Sequence, residues 1–106
     1  MRVLTPDEAN KVYDILIECA GARDTADYRY AFVHHTTNES CAEYRFMGAL
    51  GRGGKFRNNH NGIYVDCYPE SARENEARLA MVAAANERLN ALFAPDAALA
   101  RSALSR

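Results

Sequence analysis

The chain has 106 residues, enough for one domain with a modest core and too few for two; a domain near this size buries roughly 60 to 70% of its unfolded surface. Its 48% hydrophobic and 25% charged content excludes disordered and fibrous classes, and no apolar run approaches the ~18 residues of a membrane helix. The net charge of −1 hides an uneven distribution, −3 over residues 1–27, +3 over 28–57 and −1 over 58–106. A local excess of that size is too small for strong nonspecific nucleic-acid binding, which shows as a domain-wide basic surplus. The opening "MRVLTPDEANK" carries no leader-like apolar stretch, so a cytoplasmic location is expected.

The first predicted element is a helix over residues 6–20. Thr5, Pro6 and Glu8 make a capping box with proline at the first helical position. Val12, Leu16 and Cys19, flanked by Tyr13, Ile17 and Ala20, form the apolar stripe, and Gly21 supplies the stop. Next, "DYRYAFVHHTT" alternates Tyr28, Tyr30, Phe32 and His34 against Arg29, Ala31, Val33 and His35, which predicts a strand. "CAEYRFMGAL" alternates Ala42, Tyr44 and Phe46 against Glu43, Arg45 and Met47, so the two segments are expected to form an antiparallel hairpin.

A further strand is expected over "GIYVDCY", with Ile63, Val65 and Cys67 on one face and Tyr64, Asp66 and Tyr68 on the other. A short strand over "KFR" is an open addition. Pro69 ends the sheet, and "ESARENEARLAMVAAANERLNALFA" carries the strongest helical pattern, with Leu79, Val82, Ala83, Asn86, Leu89 and Phe93 as its inward stripe. Pro95 is expected to interrupt this helix, leaving 95–106 as a short or frayed C-terminal helix. The predicted fold is a single α+β domain, a two-layer α-β-β-β-α arrangement. Two helices cover one face of an antiparallel sheet of three strands, or four with "KFR", and the other face stays partly open.

Residues 48–70 hold five of the six glycines. A P-loop would need a glycine at Ala49 and a hydroxyl at Phe56, and a dinucleotide loop would need a glycine at Phe56 and a helix to follow; both are rejected. The bland interpretation is that these glycines allow positive φ and close backbone approach, with Asn61-Gly62 turning the chain tightly. The functional interpretation, compatible with it, is an exposed cationic and aromatic contact surface made by Arg45, Arg52, Lys55, Phe56, Arg57, His60 and Tyr64.

Cys19, Cys41 and Cys67 are an odd number at wide spacing, which predicts free thiols. His34 and His35, on opposite faces of a strand, would not share a metal, and no C-x-x-C or H-x-x-x-H spacing occurs. No nucleophile is accompanied by both a base and an orienting acid. The expectation is a protein without enzymatic activity, cofactor or metal.

The segments "CAEYRFMGALGRGGKFRNN", "YVDCYPE" and "ARLAMVAAANERLNAL", spanning Val33 to Leu92, resemble a group of short proteins encoded by bacteriophages and prophages. The resemblance carries no catalytic motif. It implies a role for the chain inside a bacterial host, as an anti-CRISPR-like inhibitor that binds a host protein or nucleoprotein defence complex. A small nucleic-acid-binding protein using the basic glycine-rich loop is the alternative, and an enzyme whose site assembles without a sequence motif is a third class.

Overall fold

The computed structural model describes residues 3–38, 43–50, 54–68 and 71–104, with the backbone alone at 72, 74 and 94–104. Three helices, α1 (Pro6–Ala20), α2 (Ala26–Asn38) and α3 (Ala72–Leu104), accompany strands β1 (Glu43–Arg45), β2 (Lys55–Asn59) and β3 (Gly62–Asp66). The strands form one antiparallel sheet in the order β1-β2-β3. The α+β class and the three-stranded sheet agree with the sequence reading.

Helix α1 begins and ends where its caps place it. The Thr5 hydroxyl accepts from the Glu8 amide at 3.1 Å, and the Glu8 carboxylate accepts from the Thr5 amide at 3.0 Å. At the other end Gly21 takes the left-handed φ of 63°, and the Gly21 and Ala22 amides both donate to the Leu16 carbonyl, the latter at 2.9 Å, which ends the helix. Ala9, Val12, Tyr13, Ile15, Leu16 and Ala20 are buried.

The expected strand over 28–35 is instead the middle of α2. Its period-2 pattern is real but coincides with a second one, because Tyr28, Phe32 and Thr36 recur every four residues. Phe32 and Thr36 are buried and Tyr28 packs half-buried against the same core. Thr25 caps the helix, its hydroxyl accepting from the Tyr28 amide at 3.3 Å. Thr36 and Thr37 return their hydroxyls to the Phe32 and Val33 carbonyls at 2.9 and 2.7 Å, so β-branched residues that favour strands are satisfied inside a helix. Arg29 ties α2 to α1 through Asp14 at 2.5 Å and the Asn10 carbonyl at 3.2 Å, with its guanidinium 5.3 Å from the Tyr13 ring centroid. His34 and His35 therefore neighbour one another on a helix, their rings 5.9 Å apart.

With 28–35 removed from the sheet, the partner of β1 is β2, the short "KFR" strand extended to Asn59. The register places Tyr44, Phe56 and Val65 in one cross-strand row. That row faces the helices: Phe56 and Val65 are buried, and Phe32 of α2 meets the Tyr44 and Phe56 rings at 5.3 and 5.2 Å. The neighbouring rows, Glu43 with Arg57 and Tyr64, and Arg45 with Lys55 and Asp66, project to the opposite face. His60 and Asn61 turn β2 into β3, and Gly62 at φ 122° absorbs the left-handed step.

Helix α3 packs along α1 and β3, with Ala85 and Leu89 buried and Val82, Leu92 and Phe93 partly so. Asn86, in the same stripe, turns its amide to β3: it accepts from the Val65 N–H at 2.7 Å and donates to the Val65 carbonyl at 3.1 Å. Leu79 does not join the core and is 51% exposed. The helix also continues through Pro95 to Leu104. Proline there removes the N–H that would reach the Ala91 carbonyl, but Ala91 is exposed, so water can satisfy that oxygen.

The connection after β1 crosses the connection after α1 backbone to backbone. Ala22 bridges Gly48, the Ala49 amide donates to the Gly21 carbonyl at 3.0 Å, and the Arg23 amide donates to the Met47 carbonyl at 2.9 Å. A Cβ at Gly48 would lie 2.3 Å from the Gly21 oxygen and 2.8 Å from the Ala22 Cα, contacts that only backbone separation relieves. Gly48→Ala is expected to destabilise the fold by about 1–3 kcal/mol; an unchanged urea midpoint would show that the crossing has slack.

Candidate contact surface on the open sheet face

Period-2 geometry collects Glu43, Arg45, Lys55, Arg57, Tyr64 and Asp66 on the sheet face turned away from the helices, and Tyr68 continues that face beyond β3. Lys55 is only 7% exposed. Its ammonium lies 3.4 Å from a Glu43 carboxylate oxygen, donates to the Tyr68 hydroxyl at 3.4 Å, and stands 4.6 Å from the Tyr68 ring centroid. Arg57 pairs with Glu43 at 3.1 Å and with Asp66 at 3.4 Å. The Tyr64 hydroxyl accepts from the Asn59 amide at 3.5 Å. Arg45 is exposed and makes no ion pair among the described residues.

Four of the seven residues expected in the contact surface are brought onto one face by this arrangement, Arg45, Lys55, Arg57 and Tyr64, while His60 is exposed in the hairpin loop at the other end of β2 from Arg45 and Lys55. Phe56 is not part of it. With no exposed surface at all, it belongs to the core; neighbours in a strand point to opposite faces, so it cannot share one with Lys55 and Arg57. Arg52 lies outside the described residues, as does Cys41. Cations and aromatics of the glycine-rich segment alone do not point to Glu43, Asp66 or Tyr68. The two carboxylates enter through cross-strand register, while Tyr68 was legible as the continuation of the Tyr64 and Asp66 alternation.

Away from this face, a groove of about 450 Å³ lies between α1 and α3, lined by Lys11, Asp14, Ile15, Glu18, Arg88 and Leu92. Its charges are engaged with each other or with neighbours: Arg88 with Glu18, Asp14 with Arg29, and Lys11 with Asp7. At its edge Arg88 also approaches the Cys19 sulfur at 3.6 Å. Cys19 and Cys67 are free thiols. Burial first, and the nearby Asp66 second, push the Cys67 thiol up, which holds it in the protonated, weakly nucleophilic form at neutral pH. On α2 the exposed Tyr30 stacks on His34 with centroids 5.8 Å apart, and His35 approaches Tyr44 at 5.5 Å.

Among the described residues no group of three His, Cys, Asp or Glu side chains could hold a metal ion, and no helix is long and apolar enough to cross a membrane. No protein family, curated protein or solved structure matches the chain.

Proposed function

We propose that this protein is a non-enzymatic binding protein that engages a protein partner through the open face of its sheet. The observation that carries this reading is the interleaving of charge on that face. Lys55 and Arg57 are already held by Glu43 and Asp66, so a phosphate backbone laid across them would meet neutralised cations and two repelling carboxylates. A protein surface of mixed charge suits the same array. The aromatic and arginine content, Tyr64, Tyr68, Arg45 and Arg57, is of the kind that anchors protein interfaces. The resemblance to phage-encoded proteins makes a host defence complex, such as a CRISPR-associated surveillance complex, the first partner to try, with inhibition as the outcome of binding.

The test compares two immobilised variants with the wild type against such a purified complex. Arg45→Ala combined with Tyr68→Ala removes two exposed side chains, the second with its contacts to Lys55, and should lower the melting temperature only modestly while leaving the protein folded. The expected result is at least an about tenfold loss of affinity in this variant, while Lys11→Ala combined with Glu18→Ala in the groove binds normally. The opposite pattern would move the contact to the groove. Submicromolar binding of the wild type to bare DNA or RNA at physiological salt would favour the nucleic-acid alternative instead.

A further inference from the structure

The geometry points to a specific partner chemistry for this face: we infer that it receives an acidic protein segment, with a carboxylate docking on Arg45 beside Lys55 and Tyr68. This inference rests on the open face being the contact surface. Its basis is a charge left over by the register. Arg45 stands directly opposite Lys55, and like charges facing each other across strands repel. Lys55 is compensated on its own side by Glu43 and by the Tyr68 ring and hydroxyl, and Arg57 is compensated twice, by Glu43 and Asp66. Among the described residues of this face Arg45 is the cation that remains, exposed at the rim of β1.

A carboxylate arriving at Arg45 relieves the repulsion from Lys55 and extends the alternation of opposite charges across the face. The guanidinium offers a planar fork that a carboxylate oxygen pair matches. Tyr68, 64% exposed, adds a ring beside the same corner, against which the stem of a partner glutamate or a flanking apolar side chain can pack. Because Lys55 is almost fully covered, its part is the field it projects, and the direct bonds belong to Arg45. Glu43 and Asp66 set the selectivity, since a phosphodiester chain running past Arg45 would be driven over both carboxylates while a single carboxylate side chain need not approach either.

The experiment titrates ¹⁵N-labelled protein with three probes at low ionic strength, hexaglutamate, hexalysine and hexathymidylate. Hexaglutamate should shift the amide signals of Arg45, Lys55 and Tyr68 and hexalysine should not, and the effect should vanish at about 0.5 M salt, where screening is short-ranged. Arg45→Ala should weaken hexaglutamate binding about fivefold or more, and Arg45→Lys should restore part of it. The inference is overturned if these amides do not move, if Arg45→Ala binds as the wild type does, or if hexathymidylate binds more tightly than hexaglutamate. If Arg45→Ala leaves hexaglutamate binding intact while the Arg45 and Tyr68 double variant still loses the protein partner, the face stands and its acidic specificity falls. If neither variant changes anything, both readings fall together.

Discussion

Replacing Phe32 by alanine should destabilise the protein by about 3–5 kcal/mol. Phe32 has no exposed surface and its ring stands 5.2 Å from Tyr13, 5.3 Å from Tyr44 and 5.2 Å from Phe56. One side chain thus joins α1, α2, β1 and β2. Its removal takes away apolar burial and three aromatic edge and tilt contacts together, and the surrounding rings belong to different elements that cannot all collapse into the gap. Against a total stability of about 5–15 kcal/mol for a domain of this kind, such a loss leaves the fold marginal at room temperature. Urea unfolding followed by circular dichroism measures it, with Phe32→Leu as the milder companion. A loss below about 1 kcal/mol for Phe32→Ala would mean that α2 is not seated on the sheet as described.

The second large effect separates two leucines of α3. Leu89 is buried beside β3 and α1, whereas Leu79 is 51% exposed. Leu89→Ala is expected to cost about 2–5 kcal/mol, and Leu79→Ala no more than about 0.5 kcal/mol. The apolar periodicity of the helix treats the two alike. What distinguishes them is position along α3: Leu79 precedes the stretch at Val82, Ala85 and Leu89 that meets the core. Equal costs for both variants would place the inward stripe one turn further toward the N-terminus than the structure has it.

Where local chemistry has a single reading, the sequence determined the structure. The capping box at Thr5 and Glu8, the stop at Gly21 and the alternation of Ile63 and Val65 each admit one element, and each forms it, although β3 ends at Asp66 and leaves Cys67 beyond the strand. The stretch from Tyr28 to His35 admits two, and tertiary contact decides between them: as a helix it delivers Phe32 and Thr36 to the core on one side. Thr25 as a cap and the four-residue recurrence of Tyr28, Phe32 and Thr36 were the signals that favoured the helix. The contact face was legible in composition but not in pairing. That Lys55 is sheltered by Glu43 and Tyr68 depends on a register between segments twelve or more residues apart, and no local pattern encodes it.

The Asn86 amide, fastened to both backbone groups of Val65, stands where a fourth strand would. β3 is an edge of the sheet, and an edge whose N–H and C=O groups stay open invites the strand of another chain. Here one side chain fills the vacancy from within the same molecule. Fibrous growth across this margin would first have to evict an amide anchored at two points, so protection against edge-to-edge aggregation on this side rests on a single polar position within the inward stripe of α3.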